Sequence, residues 1–551
     1  MNCEKIFQKR SVLILAGNFK SKINNFKLPP YLLNIGSTLS IEKILKNLEL
    51  SQNDTVYLAI NNDQDKFIRF SSFNNLVLIN VSNSETIIET ISRSLKFING
   101  ENIEIIPITT IPDASCIPIK SVVFSLKPIP KENWSSISTK EGKVKYIFKN
   151  SNYEFSSESF PFTGRIFANL KDLETSLYKV KNNDKNDLLY LAKVLIDEFE
   201  YKIFKETWYD IGHNTTYLET KLTSINKRFF NSIEYNPKND TLIKSSYDRN
   251  KLNNELIYYK NLPLPLKRYF PHIYTKSLEN IKSIEMEFIP FPNLAETYLF
   301  RDDGPNNWIR IVKSIKIAYD QFYKKDNLIR HDNINYLYSK KLESRYKELK
   351  ENYLSSQQDM LLNKFISKGL ILNNNIKLPS LNFTINKLLN NLRLYEVSKP
   401  LFIGHGDLCF NNILVDPNSG SLKLIDPKAY PDKSKNIVGL VDPFYDLAKL
   451  NHSFTYLYDS IVNNLYKLNF KDNEINLKIY APNNYYQIKN LFCDEFEYHN
   501  IEKKLLRSLT SNLFLSMLPL HCDDSNRMLA LAIVGNVIFN NIDFENLIIK
   551  L

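Results

Sequence analysis

The stretch Gly404-His405-Gly406-Asp407-Leu408-Cys409-Phe410-Asn411-Asn412-Ile413-Leu414-Val415-Asp416, followed by Leu422-Lys423-Leu424-Ile425-Asp426-Pro427, sets two carboxylates and an amide at a spacing that suits one kind of chemistry. Phosphoryl transfer is mostly positioning and charge neutralisation. One carboxylate orients the acceptor hydroxyl, while an amide and a second carboxylate hold Mg²⁺ on the donor's phosphates. The pattern here is H-G-D-x-x-x-x-N, with an aspartate fourteen residues beyond the asparagine. Asp407 is the expected catalytic residue, taking the hydroxyl's proton, and Asn412 and Asp426 are the expected metal ligands. His405 is expected to brace the loop rather than transfer protons. Each carboxylate alone is more often a turn or a cap; the set carries the reading. Apolar residues before His405 and after Asn412 predict strand, loop, strand. Pro417-Asn418-Ser419-Gly420 has turn chemistry, so a hairpin is expected to bring Asn412 close to Asp426.

Further elements must deliver the donor nucleotide. Thr241-Leu242-Ile243-Lys244 reads as a strand ending in lysine, and Asn250 to Lys260 as a helix carrying Glu255. A strand lysine can reach the α and β phosphates while a glutamate on the adjoining helix holds it by an ion pair, so ATP contacts are expected at Lys244 and Glu255. Ser283 to Pro290 is an extended apolar run stopped by proline. Around Glu287 and Phe288 its backbone either contacts adenine or packs as an edge strand. No glycine lies between Gly212 and Gly304, so another backbone turn must cover the phosphates.

These motifs together resemble the aminoglycoside phosphotransferase and choline kinase superfamily over residues 226–551, most clearly between Leu401 and Phe454. The resemblance implies an α+β bilobal protein-kinase-like domain, with a small lobe over 226–295 and a large lobe over 296–551. It also implies ATP and Mg²⁺ as cofactors and a hydroxyl on a small metabolite as acceptor. In Asp442-Pro443-Phe444-Tyr445-Asp446-Leu447-Ala448-Lys449-Leu450, Asp446 takes the place of the family's loop-supporting aspartate. Lys428 is read as a solvated side chain ahead of a phosphate contact.

At 551 residues the chain is too long for one core, and two or three compact units are expected. With 43% hydrophobic and 24% charged residues it has the balance of a soluble globular protein. The formal net charge of +11 comes from scattered Lys and Arg without a dense run, so nucleic acid is not an expected partner. Cys3, Cys116, Cys409, Cys493 and Cys522 are odd in number and never spaced C-x-x-C, which speaks for a reducing compartment without disulfide framework or zinc site. Met1 to Arg10 lacks the apolar core of a secretory signal. The apolar run Met528 to Val534 falls far short of the roughly 20 residues of a spanning helix. A cytoplasmic protein without a membrane span is expected. Trp308 to Tyr323 and Lys341 to Phe365 read as helices.

The chain opens with Ser11-Val12-Leu13-Ile14-Leu15-Ala16-Gly17, an apolar run that reads as a buried strand entering a loop. A helix follows on Ile41, Ile44, Leu45 and Leu48, then a strand Thr55 to Ile60, a helix Thr86 to Phe97 and a strand Ile103 to Ile108. Strand, helix, strand predicts right-handed crossovers in a mainly parallel sheet. Roughly the first 230 residues resemble a sugar-phosphate nucleotidyltransferase domain, in a degenerate form. Leu15 to Lys22 takes the place of the family's nucleotide loop. Pro29-Pro30-Tyr31-Leu32-Leu33 lacks the expected lysine, and Ile108-Thr109-Thr110 stands where a Gly-Asp would bring a metal-binding carboxylate. Phe162-Thr163-Gly164-Arg165-Ile166-Phe167 and Trp208-Tyr209-Asp210-Ile211-Gly212 match better. Asp210 either ligates a metal, as the resemblance implies, or caps the turn before Gly212, and Asp113 is a further candidate ligand.

The expected architecture is therefore an α/β N-terminal Rossmann-like nucleotidyltransferase domain over 1–225, joined to the kinase-like domain over 226–551. The expected activity is phosphorylation of a small metabolite, in the bacterial setting of surface-polysaccharide (capsule) or lipid-headgroup precursor synthesis that the joint resemblance implies. Two alternatives stand beside it: a bifunctional kinase and nucleotidyltransferase, and an inactive nucleotide-sugar-binding regulator. The intact Asp407, Asn412 and Asp426 set speaks against the second.

Overall fold

The computed structural model describes residues 10–16, 34–35, 38–60, 75–126, 134–140, 143–147, 159–182, 187–212, 216–217, 220, 231–236, 238–276, 281–300, 304–325, 328–332, 334–352, 360–396, 399–416, 419–428, 431–432, 437–471, 474–496 and 503–550. The chain divides into two compact units, Met1–Ile225 and Asn226–Leu551.

In the first unit the strand Ser11–Leu15 is wholly buried and lies between two parallel neighbours, Thr55–Ile60 and Asn102–Pro107. Leu76–Asn80 extends the parallel set beyond Thr55–Ile60. Continuous apolar strands of this kind need cover on both faces. The helices Ser40–Asn47 and Ile87–Ser94 bury Ile41, Ile44 and Leu45, and Ile88 and Ile91. From residue 121 the pairing changes. The eleven-residue strand Ser159–Asn169 runs antiparallel to Asn102–Pro107 and to Ser121–Ser125, and Lys202–Glu206 joins Ser121–Ser125 in parallel. The sheet is mixed rather than mainly parallel. A parallel neighbour needs a crossover of a dozen or more residues, usually helical, and no helix separates Asn102–Pro107 from Ser121–Ser125. The expected nucleotide loop from Gly17 to Lys22 and the Pro29-Pro30 segment lie outside the described residues.

The second unit begins with a three-stranded antiparallel sheet, Asn231–Asn236, Thr241–Ser246 and Ser283–Glu287, with Thr241–Ser246 in the centre. The helix Arg249–Asn261 packs on it through Leu252 and Leu256, which form one core with Ile281, Ile284 and Met286. After Ser283–Glu287 the chain leaves this sheet, touches the later hairpin at the bridge between Asn293 and Leu414, and enters the helix Leu294–Phe300.

The remainder is largely helical. The expected helix Trp308 to Tyr323 is Pro305–Phe322. Lys341 to Phe365 is two helices, Ser339–Asn352 and Met360–Lys368, with 353–359 outside the described residues. Small sheets accompany them, including Leu328–Asp332 with Lys399–Ile403 and Leu440–Val441, and a five-stranded group around Glu474–Ala481. The helix Ser525–Phe539 is buried on nearly every side. Among the described residues no helix is long and apolar enough to cross a membrane.

Candidate active site

The expected hairpin forms, with Ile413, Leu414 and Val415 opposite Leu424, Lys423 and Leu422. Its pairing continues past the strands, because Ile425 N–H donates to the Asn412 carbonyl at 3.0 Å. Asn412 and Asp426 are therefore neighbours. Asn412 ends the short 3₁₀ turn Phe410–Asn412, and its Nδ2 donates to the Asp407 carbonyl at 2.9 Å. That orientation leaves the amide oxygen as the group's acceptor end. Asp426 has a φ of +53°, a left-handed conformation that side-chain-bearing residues rarely adopt.

The loop between the strands is held from behind. One oxygen of Asp446, fully buried on the helix Pro443–Phe454, accepts from His405 N–H at 2.9 Å, Gly406 N–H at 3.1 Å and the Tyr323 hydroxyl at 2.6 Å. Asp442 starts this helix by accepting from Phe444 N–H, and the Tyr338 and Tyr395 hydroxyls anchor it at 3.0 and 2.8 Å. His405 ties the two ends of the site together. Its Nδ1 accepts from Asp407 N–H at 3.2 Å, so Nε2 carries the proton and donates to the Ile425 carbonyl at 3.1 Å. Burial lowers the His405 pKa, which suits a neutral brace. Gly404 has no room for a side chain, since a Cβ there would lie 2.5 Å from the Tyr323 hydroxyl oxygen.

Lys244 and Glu255, eleven residues apart on strand and helix, meet at 2.7 Å to both carboxylate oxygens. Lys244 Nζ also reaches Asp426 Oδ1 at 2.8 Å. Burial opposes the ammonium charge, but Glu255 and Asp426 together hold the Lys244 pKa above its ordinary value. A lysine and a glutamate eleven residues apart thus form one cluster with an aspartate 182 residues beyond the lysine.

Two cations stand around Asp407, and one of them, Lys449, was given no role by sequence reasoning. Lys449 Nζ lies 3.0 Å from Asp407 Oδ1, and Lys428 Nζ lies 3.4 Å from Asp407 Oδ2 and 3.3 Å from Asp426 Oδ2. Against the effect of burial, Lys449 and Lys428 hold the Asp407 carboxyl well below the usual range, and Lys244 and Lys428 do the same for Asp426. Lys428 pairs with both carboxylates and is about one-third exposed, unlike the solvated lysine expected. Lys449 was legible only as the residue three positions after Asp446, on the helix that supports the loop; helical spacing puts both on one face.

Glu287 and Phe288 sit where the chain leaves the small sheet. Glu287 N–H donates to the His272 carbonyl at 2.8 Å, and its carboxylate accepts from His272 N–H at 2.9 Å. Phe288 N–H reaches the Asp240 carbonyl at 3.4 Å, and its ring lies 5.0 Å from Tyr235. Both backbone donors are engaged within this sheet and the segments beside it.

In the first unit, Asp210 ends the strand Trp208–Asp210 directly opposite Thr110, and Ile211 N–H donates to the Thr109 carbonyl at 2.9 Å. The positions that the resemblance pairs are side by side, with one carboxylate between them. Asp210 accepts from Gly212 N–H at 3.2 Å and from the Thr216 hydroxyl at 2.5 Å, the geometry of a turn cap. Asp113 accepts from the Thr207 hydroxyl. Arg165, in the better-matching motif, is fully buried, with Nε 2.7 Å from Glu104 and Nη1 2.7 Å from Glu206, while Arg10 Nε lies 2.7 Å from the other oxygen of Glu104. No spacing in the sequence pointed to this network. Among the described residues no three His, Cys, Asp or Glu side chains converge as a metal site in either unit.

No family model and no curated protein matches the chain. Among solved structures, the N-terminal part is similar to sugar nucleotidyltransferases. A UDP-glucose pyrophosphorylase complexed with UDP-glucose is 13% identical over 40% of this chain and 100% of its own, with a TM-score of 0.33. A Bacillus anthracis protein described as a glucose-1-phosphate thymidylyltransferase is 13% identical over 40% of this chain and 97% of its own, with a TM-score of 0.32. HddC from Yersinia pseudotuberculosis is 15% identical over 38% of this chain and 98% of its own, with a TM-score of 0.30.

Proposed function

We propose that residues 226–551 form an ATP-dependent phosphotransferase that phosphorylates a hydroxyl group of a small metabolite. The observation that carries this reading is the cluster of Lys244, Glu255 and Asp426, in which a strand lysine, a helix glutamate and a hairpin aspartate meet within 2.8 Å. Lys244 reaches the donor's phosphates, held there by Glu255, and Lys428 stands between the donor side at Asp426 and the acceptor side at Asp407. Asp407 orients the acceptor hydroxyl and takes its proton as the bond to phosphorus forms. Its low pKa makes it a weak base, which suits a loose transition state in which positioning matters more than proton abstraction.

The donor set fits Mg²⁺ in one respect and limits it in another. Asp426 and the Asn412 amide oxygen supply hard oxygen ligands, and since no three His, Cys, Asp or Glu side chains converge as a metal site among the described residues, the remaining positions fall to phosphate oxygens and water, as is usual for Mg²⁺ on nucleotides. Bound there, the ion would neutralise charge on the phosphates. The test is γ-phosphate transfer from MgATP across a panel of sugars, amino alcohols, sugar phosphates and sugar acids. Asp407→Ala, with MgATP binding retained, is expected to lower transfer by about 10²–10⁴-fold. Equal transfer by the variant and the wild type would remove Asp407 from the chemistry.

Residues 1–225 read as a nucleotidyltransferase-like unit that binds a nucleotide or nucleotide-sugar. Asp210 facing Thr110 instead of a second carboxylate favours binding over transfer. Release of pyrophosphate from a nucleoside triphosphate, lost in Asp210→Ala and kept in Asp407→Ala, would make the chain bifunctional.

A further inference from the structure

The backbone of Asp407 is held on both sides. Its N–H donates to His405 Nδ1 at 3.2 Å, and its carbonyl accepts from Asn412 Nδ2 at 2.9 Å and from Cys409 N–H at 2.8 Å. What these bonds leave open is the turn of the carboxylate, a side-chain torsion that is broad and roughly two-fold in aspartates. An acceptor hydroxyl has to meet one defined oxygen, so a further group must fix that torsion.

Two ammonium groups are within reach, and they differ in how firmly they are placed. Lys428 Nζ is divided between Asp407 Oδ2 at 3.4 Å and Asp426 Oδ2 at 3.3 Å, and its side chain is 33% exposed. Lys449 Nζ is closer, at 3.0 Å from Asp407 Oδ1, and its side chain is 9% exposed. It stands on the helix Pro443–Phe454, three positions after Asp446, which accepts from the N–H groups of His405 and Gly406. That helix is itself anchored by the Tyr319 hydroxyl, which donates to the Pro443 carbonyl at 3.0 Å, and by the tyrosines on Asp442. One helix thus fixes both the backbone of the loop and its carboxylate. The buried Asp459 carboxyl faces Lys449 as well, but among the described residues Lys449 is ion-paired with Asp407 alone.

The next step rests on the phosphotransferase reading. A nucleotide's phosphates compete for Lys428, which already serves two carboxylates and reaches solvent, whereas Lys449 is buried on a separate element and keeps its pair. We infer that Lys449 is a positioning residue for the transfer: it holds Oδ1 of Asp407 throughout, so that Oδ2, uncovered as Lys428 turns to phosphate, is the oxygen that meets the acceptor hydroxyl. The acceptor oxygen then bonds to the γ-phosphorus, the bond from that phosphorus to the β–γ bridging oxygen breaks, ADP leaves with its electron pair, and the hydroxyl proton passes to Oδ2.

A double-mutant cycle on the full chain tests this with MgATP and water alone, phosphate release reporting hydrolysis with water in the acceptor's place. Lys449→Met is expected to lower kcat by about 10–10²-fold with the KM for MgATP unchanged. Lys449→Arg is expected to recover part of that loss, since a guanidinium still pairs with the carboxylate. In Asp407→Asn, adding Lys449→Met should cost nothing further, because the lysine acts through that carboxylate. The double variant removes both charges of the pair together, so this arm can be read even where Lys449→Met alone folds poorly. A full further loss in the Asp407→Asn background overturns the inference, as does a folded Lys449→Met with the kcat of the wild type. Asp459→Asn should leave kcat unchanged, and a fall equal to that of Lys449→Met would assign the lysine to Asp459 and overturn the inference too. MgATP binding is followed by calorimetry in the same samples: a wild-type chain that binds no MgATP ends the phosphotransferase reading itself, whereas retained binding with a kcat indifferent to Lys449 ends the positioning role alone.

Discussion

Lys244 keeps its charge in a buried place because Glu255 and Asp426 close around it, whereas Asp459, equally buried, has no such pair. Glu255→Gln removes the charge that holds Lys244 and leaves the lysine to Asp426 alone. Hydrogen bonds to charged groups contribute about 1.5–3 kcal/mol, so the variant's KM for MgATP should rise by about 10-fold or more, with Asp407 still in place. An unchanged KM would mean that Glu255 does not position the lysine for nucleotide. For Asp459, burial pushes the carboxyl up to about 7 from an ordinary value of 3.8, with Ser453 and Lys449 offsetting only in part. The folded form therefore keeps a proton that the unfolded chain releases, and stability falls as pH rises from about 4 to about 7 before levelling off. Asp459→Asn removes this dependence. Its Tm advantage over the wild type should grow between pH 5 and pH 7 and stay constant above that, and a Tm difference independent of pH would contradict the assignment.

The elements differ in how openly the sequence declares them. Thr55–Ile60 and Ser11–Leu15 could be read because a doubly covered strand is apolar along nearly its whole length, and the hairpin could be read because Ser419 and Gly420 follow a proline and an asparagine between two apolar runs. The strand Ser159–Asn169 was visible as a motif but not as the longest described strand of the sheet, since its pairings with Ser121–Ser125 and Asn102–Pro107 reach across about 40 and about 60 residues of sequence. Lys449 was out of reach for a similar reason: it looks like one more helix-surface lysine until tertiary packing brings it to Asp407. Arg165 is the sharpest case. Its strand carries a guanidinium into the core only because Glu104, from the neighbouring strand Asn102–Pro107, and Glu206, from Lys202–Glu206 one strand beyond Ser121–Ser125, meet it there. Removing one partner of such a network leaves buried charge uncompensated. Arg165→Leu should destabilise the sheet of the first unit by about 3–5 kcal/mol, measured as loss of the corresponding transition in denaturant. Replacing Arg165, Glu104 and Glu206 together by apolar residues should recover much of that loss, and a triple variant no better than the single one would show that the network does more than neutralise itself.

At the scale of the whole chain, two units with separate cores can answer nucleotide separately, and their responses discriminate between the readings of the molecule. A ligand bound only by the folded state stabilises it by about 2.7 kcal/mol at a hundredfold excess over Kd, and it slows local opening most where it makes contact. Under the phosphotransferase reading, Mg²⁺ with an ATP analogue should slow amide exchange in Thr241–Ser246, around Asp407 to Asn412 and at Asp426. In Asp426→Ala, which loses a metal ligand and the Lys244 contact together, that protection should weaken by about 10-fold or more in nucleotide concentration. The sheet of the first unit should remain unchanged by the same ligand, because Asp210 faces Thr110 and offers a single carboxylate for a metal-bound triphosphate. Protection that instead appears at Trp208–Asp210 and Thr110–Pro112, and survives in Asp426→Ala, would move the triphosphate to the first unit and favour the bifunctional reading. Protection at neither place would leave the nucleotide-sugar-binding regulator as the reading to pursue, with a nucleotide-sugar as the next ligand in the same experiment.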